Sequence, residues 1–384
     1  MEAQLRMGII GGGPGSFIGD VHIKAASFDN LAELVCGAFS TSQAKSVQSG
    51  ELYRLNPERV YASYAEMFQK EAALPPEKRP HFFIIATPNH LHYEPAMLAM
   101  KAGFHVACDK PVAISSIQAK EIARTAAETN RAFLLTHHAA GYPAVMEARA
   151  MLASHQLGKI RKILVEYPQG WLSQPVEKAG NKQAKWRLDP GQSGMAGCIA
   201  DIGSHAFNLL EFMTGLQVQS VCADLTSFVP GRTLDDDGSI LLRLSKDAKG
   251  MMNASQILVG EGNDLNIRIY GETGAIEWHQ EIPGQLILRY PDKPTQILNM
   301  GVNTANHTIT GHKYARLPTG HPEGLYEAFA SVYRSFMGNI RKIEIGENPA
   351  KPDYPSVYEG IREMLFIEAA VRSSEKGTGW TYLE

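Results

Sequence analysis

The chain has 384 residues, 44% of them hydrophobic, which is enough to fill the cores of two or three domains. Its 37 basic and 40 acidic residues give a formal charge of −3 with no basic block, so nucleic-acid binding loses its electrostatic support. Cys36, Cys108, Cys198 and Cys222 lie far apart and form no CxxC pair, no apolar run approaches a membrane span, and the first strand leaves no room for a signal peptide, so a reduced cytoplasmic protein is expected.

Residues 7–10 read as a strand that runs into GGGPGSFIGDVH. Glycines in such a turn let the backbone approach a pyrophosphate, which then rests on the next helix N-terminus. Gly11 and Gly13 match G-x-G-x-x-G, position 16 is Ser, and a three-residue insertion gives the third glycine role to Gly19. The second strand is 34–39. An NAD-preferring site usually carries Asp or Glu there, about 20 residues after the turn. This chain offers Phe39-Ser40-Thr41-Ser42, followed by Lys45. With no carboxylate to repel it, a 2′-phosphate would find partners in Ser40 and Lys45. The same residues suit equally a polar helix cap with a solvated lysine.

A tyrosine-rich helical segment occupies 50–80. Residues 82–111 then read as a β-α-β unit, its first strand the apolar run 82–86, its helix stopped by Gly103, its second strand 105–108. Ligands sit beyond the carboxyl ends of strands in a doubly wound sheet, so Thr87-Pro88-Asn89 and Asp109-Lys110 are aimed at one crevice. A helix marked by Ala119, Ile122, Ala123 and Ala126 and a strand at 133–136 close a Rossmann-type domain over residues 1–136.

After that the rhythm changes. A helix at 143–153 and a strand at 160–167 precede a long polar loop through Trp171 and Trp186. Strands then follow at 218–228, 240–244, 251–257, 265–270 and 275–278, with late helices at 320–338 and 355–372. Consecutive strands without helices between them imply a mostly antiparallel open sheet, hence an α+β second domain over 137–384.

Within it stands GMAGCIADIGSHAFNLLEFMTG. Ile202, Ala206, Leu209 and Met213 space as a buried helix face, and Asp201 and His205, four apart, share another. A carboxylate beside an imidazole suits a general base; Asp201 as a helix cap and His205 as an interface histidine is the alternative. No further ligand stands at metal spacing, so no metal is expected.

Together these features resemble the Gfo/Idh/MocA family of oxidoreductases, on GGGPGSFIGDVH, TPNHLH at 87–92, DKP at 109–111 and GMAGCIADIGSH at 194–205. Family members commonly have Glu where Asp109 stands. The resemblance implies catalytic roles for Lys110, Asp201 and His205, and nucleotide contacts at Gly11, Gly13, Gly19, Pro88, Asn89 and Asp109. It also places Trp186-Arg187 near the cofactor and implies a homodimer or homotetramer joined through the second sheet. The expected activity is NAD(P)-dependent hydride transfer to or from a secondary alcohol of a sugar, cyclitol or related polyol, with a slight lean to NADP or dual cofactor use. His138, Tyr142, Trp171 and Gln183 are polar candidates for holding such a substrate. Two rivals are a redox-neutral lyase or glycosidase on the same fold and a non-enzymatic dinucleotide-binding sensor.

Overall fold

The computed structural model describes residues 3–303, 309–347 and 352–384. The chain forms two compact units, one of residues 1–138 with Leu325–Ile361, the other of Ala139–Gly324 with Arg362–Glu384.

The first unit is built on five strands: β1 (Leu5–Gly11), β2 (Ala32–Ala38), β3 (Phe82–Ala86), β4 (His105–Cys108) and β5 (Phe133–Leu135). They pair in the order β2-β1-β3-β4-β5, every pair parallel. This is the doubly wound sheet expected from the alternating pattern. β3 and β4 are buried along their whole length, which is why both read as unbroken apolar runs. Phe83 is wedged between Phe68 and Phe104 on one face, and Phe82 lies against Phe336 on the other. The helix Leu325–Glu344 thus returns late in the chain to cover this sheet. Strand order reverses between β1 and β3, the place where such sheets open a crevice for ligands.

Among the described residues, the second unit holds nine strands: β6 (Lys162–Pro168), β7 (Val218–Thr226), β8 (Asp237–Leu244), β9 (Lys249–Ser255), β10 (Asn266–Tyr270), β11 (Ala275–His279), β12 (Gln285–Tyr290), β13 (Lys293–Asn299) and β14 (Thr381–Tyr382). Their order is β13-β12-β11-β10-β6-β9-β8-β7-β14, and among the described residues only β6 and β9 run parallel. Burial alternates along β6 and β8, so one face carries the core. The sequence reading missed β12, β13 and β14. β13 is an edge strand whose residues are nearly all exposed, and it includes Lys293 and Pro294, so it has no apolar alternation to reveal it. The helix expected from residue 320 starts at Leu325, beyond Pro322 and Gly324.

Two short helices, Lys182–Arg187 and Pro190–Ser193, break the long polar loop. The helix Ser204–Thr214 is entered through a π turn, Ile199–Gly203. Ile202, Ala206, Leu209 and Met213 are all buried, as their spacing predicts.

Candidate active site

In the first unit, β1 ends at Gly11 (φ +86°) and Gly12 (φ +75°), both in the left-handed region that favours glycine. A Cβ on Gly11 would lie 2.3 Å from Ala86 O, so β1 and β3 approach where only backbone fits. Gly19 packs on Gly12, since a Cβ there would lie 2.4 Å from Gly12 Cα. It stands in the first turn of the helix α1 (Phe17–Ser27), capped by Ser16. Gly13 backs onto the end of β2, 2.9 Å from Phe39 O when given a Cβ.

A cavity of about 320 Å³ opens beyond the ends of β1, β2 and β3, lined among others by Gly11, Gly12, Ser40, Thr41, Thr87 and Pro88. Gly12 is the lining residue that the motif reading passed over, because G-x-G-x-x-G leaves that position open. Ser40 is tied into its own turn: its amide donates to Ser46 Oγ at 3.0 Å and its Oγ accepts Ser42 N at 3.1 Å. Lys45 is exposed and Asn89 buried. Glycine backbone with no Cβ, opening on a cavity beyond the strand ends, fits a nicotinamide dinucleotide's pyrophosphate.

Asp109 follows β4 and is held from several sides. Its Oδ1 accepts Lys110 N at 3.0 Å and Thr136 Oγ1 at 3.2 Å, and His22 Nε2 stands 3.8 Å away. The fully buried His22 in turn meets Tyr333 Oη at 2.8 Å. Burial pushes the Asp109 carboxyl up, but His22, Lys110 and His92 overcome it and hold it well below the usual carboxylate range. His92 was in the quoted motif without a role. It is buried, with Nδ1 2.7 Å from Pro111 O and Nε2 2.8 Å from Thr87 O. Burial lowers the His92 pKa, so the neutral ring donates its single N–H to one of these carbonyls while it packs between the loop that carries Pro88 and Asn89 and the loop that carries Lys110. His138, also in this unit, stacks on Phe329.

In the second unit, a polar network gathers around the π turn. Asp201 Oδ2 accepts Arg187 Nε at 3.1 Å and Gln256 Nε2 at 2.9 Å. Arg187 Nη1 reaches Gln183 Oε1 at 2.7 Å, and its guanidinium lies over the Trp186 ring, 4.3 Å from the centroid. Gln256 Nε2 also contacts Gln169 Oε1 at 3.4 Å, which accepts Trp171 Nε1 at 2.9 Å. Five predicted residues, Trp171, Gln183, Trp186, Arg187 and Asp201, therefore meet in one network. Gln169 and Gln256 complete it, and nothing local in the sequence marks them. His205 is buried and edge-on to Tyr167, with ring centroids 6.1 Å apart. Burial pushes the Tyr167 phenol up to about 12. Tyr142 is set apart from this network, packed on Trp278. Among the described residues, no group of three or more His, Cys, Asp or Glu is placed to hold a metal, and no helix is long and apolar enough to cross a membrane.

Residues 5–137 match the family described as an oxidoreductase family with an NAD-binding Rossmann fold, and residues 145–277 match the GFO/IDH/MocA C-terminal domain. An uncharacterized oxidoreductase of Bacillus subtilis (strain 168), YfiI, is 31% identical over 99% of this chain and 97% of its own length. An oxidoreductase from Sinorhizobium meliloti has 37% identity and a TM-score of 0.88, with 99% of each chain covered. An inositol dehydrogenase homolog from Azotobacter vinelandii, complexed with NAD+, has 29% identity and a TM-score of 0.92 over 99% of this chain and 97% of that one. A second structure of that homolog holds NADH and myo-inositol. The chain belongs to the Gfo/Idh/MocA oxidoreductases, with an NAD-binding Rossmann domain.

Proposed function

We propose that the protein is an NAD(P)-dependent dehydrogenase acting on a secondary alcohol of a sugar, cyclitol or related polyol. The observation that carries this reading is the network around Asp201. Indole, amide, guanidinium and carboxylate groups converge there, and many polar partners are what a polyol needs. The homolog complexed with NADH and myo-inositol supports it.

Bound nicotinamide supplies the site that accepts or returns the hydride. The chain's own residues do the rest. The Gly11–Gly12 backbone and Pro88 hold the dinucleotide. Lys110 donates a hydrogen bond to the reacting oxygen and stabilises negative charge there. His205 takes the hydroxyl proton, and Asp201 orients the site. Trp171, Gln183, Trp186 and Arg187 grip the remaining hydroxyls.

A panel of inositols, sugars, anhydrosugars and sugar acids, assayed for accumulation of reduced cofactor, tests this reading. Net reduction with at least one polyol is expected. Consumption of a polyol without net reduction would establish redox-neutral chemistry instead, and cofactor binding with no turnover of any member would favour a sensor.

The turn after β2 carries no acid, and Ser40 lines the cavity beneath it. This supports use of both NAD and NADP. Comparable kcat/KM for the two is expected, and a preference of about a hundredfold or more for NAD, some 2.7 kcal/mol, would overturn it. We further propose a homodimer or homotetramer built through the outer face of the nine-stranded sheet.

A further inference from the structure

The approach to the helix Ser204–Thr214 is held by one residue outside it. Asp235 Oδ1 accepts Gly197 N at 2.7 Å, and its Oδ2 accepts Ile199 N at 2.8 Å. Its carbonyl accepts the amide between them, Cys198 N, at 2.9 Å. Three consecutive amides at the head of the π turn are thus taken by Asp235. The fit is close, for a Cβ on Gly197 would lie 2.4 Å from Asp235 O. The next residue, Asp236, accepts Gln256 N through its carbonyl at 2.9 Å, and Gln256 is one of the groups that hold Asp201. Asp201 is therefore tethered to this short segment twice, through its own turn and through Gln256.

We propose that Asp235 is a positioning residue for the chemistry assigned to Asp201 and His205: its carboxylate, accepting on both oxygens, sets the π turn. What the turn serves rests on the function proposed above; the turn's dependence on Asp235 does not.

The argument is a count of acceptors. An ionised carboxylate accepts on both oxygens, whereas the carboxamide of an Asp235→Asn variant carries a donor-only NH2 in place of one of them. That NH2 would face an amide N–H, donor against donor. One of the two amides would lose its partner beside fully buried Cys198 and Ile199, where an unmade hydrogen bond is costly. The ionisable groups that face Asp235 are Asp236 and the Cys198 thiol, and Asp201 and Asp237 face the same thiol. Asp236 is held by Arg232 at 3.1 Å and by the amides of Phe228 and Val229. Burial pushes the Asp235 carboxyl up to about 6; Asp236 adds to this, and the amides oppose it. A carboxyl raised in this way binds its proton more tightly in the closed turn than in an opened one, so falling pH does not open the turn.

The test is hydrogen–deuterium exchange over residues 195–203 of the full chain, corrected for intrinsic exchange, at about pH 8, in wild type, Asp235→Asn and Asp235→Ser. Protection of Gly197 and Ile199 should be lower by about tenfold or more in both variants than in wild type. Once a substrate is found, kcat should fall in both variants while cofactor affinity stays level. Wild-type protection in either variant would overturn the proposal. If one variant does not fold, the other decides. The exchange measurement uses no substrate, so a failed polyol panel sinks the functional reading and leaves this result standing.

Discussion

At the scale of single residues, the question is which group takes the proton. As residue types, an imidazole titrates near pH 6.5 and a lysine ammonium near 10.4, so histidine is the readier base at neutral pH and lysine the readier donor. His205→Ala should lower kcat by about 10²–10⁴ with little change in cofactor binding, and should remove the acidic limb of the pH–rate profile. Lys110→Ala should lower kcat and keep that limb. A limb that survives in the first variant and vanishes in the second would make the lysine the base. Asp235 adds a control, because its carboxyl titrates in the same range and needs to be separated from the histidine by its own variant. The residues expected from motif spacing were legible because each motif is contiguous in the chain. His92, Gln169, Gln256 and Asp235 were not. Each is an ordinary polar residue whose partner lies far off in sequence or is a backbone group, as with Asp201 and Gln256, 55 positions apart.

Among the elements, the first sheet was legible because β3 and β4 are buried on both faces and show as apolar runs. The π turn was not, since its residues keep the apolar spacing of the helix that follows. The same sheet carries an acid sensitivity. His105 Nδ1 accepts Ala132 N at 2.8 Å, and His81 Nδ1 accepts Arg6 N at 2.9 Å, so each ring must keep a lone pair. Burial pushes His105 down to about 3, and burial with the Arg6 charge pushes His81 down to about 4. The unfolded chain takes up these protons near pH 6.5. The stability they contribute is therefore complete above that pH and is lost as the pH falls toward 4 and then 3. His105 accounts for about 2 kcal/mol of loss between about pH 6.5 and pH 5. Urea unfolding of wild type and His105→Gln should show the variant's stability falling less over that interval. Equal slopes would mean that His105 is not held neutral.

For the whole molecule, one exposed stripe bears on assembly. Leu241 of β8 pairs with Met251 of β9, and both side chains are nearly half exposed on the outer face of the sheet. Leu164 of β6 continues the row beside Met251, and Cys222 of β7 continues it beside Leu241. An apolar row of this kind is suited to self-association across a two-fold axis. Leu241→Lys should shift the mass measured by solution scattering toward the monomer, weakening association by about tenfold or more. A wild-type protein that stays monomeric at every concentration would rule the assembly out. The division of the chain has a further consequence, in time rather than in space. The first unit needs Leu325–Ile361, whose Tyr333 and Phe336 meet His22 and Phe82. During synthesis the first 138 residues emerge early, yet the helix that covers them arrives only after all of 139–324 has been made. The nascent dinucleotide-binding half therefore waits with an uncovered aromatic face, exposed to chaperones and to sticky neighbours. A fragment of residues 1–138 should bind a hydrophobic dye and resist compact folding until a peptide spanning 325–361 is supplied.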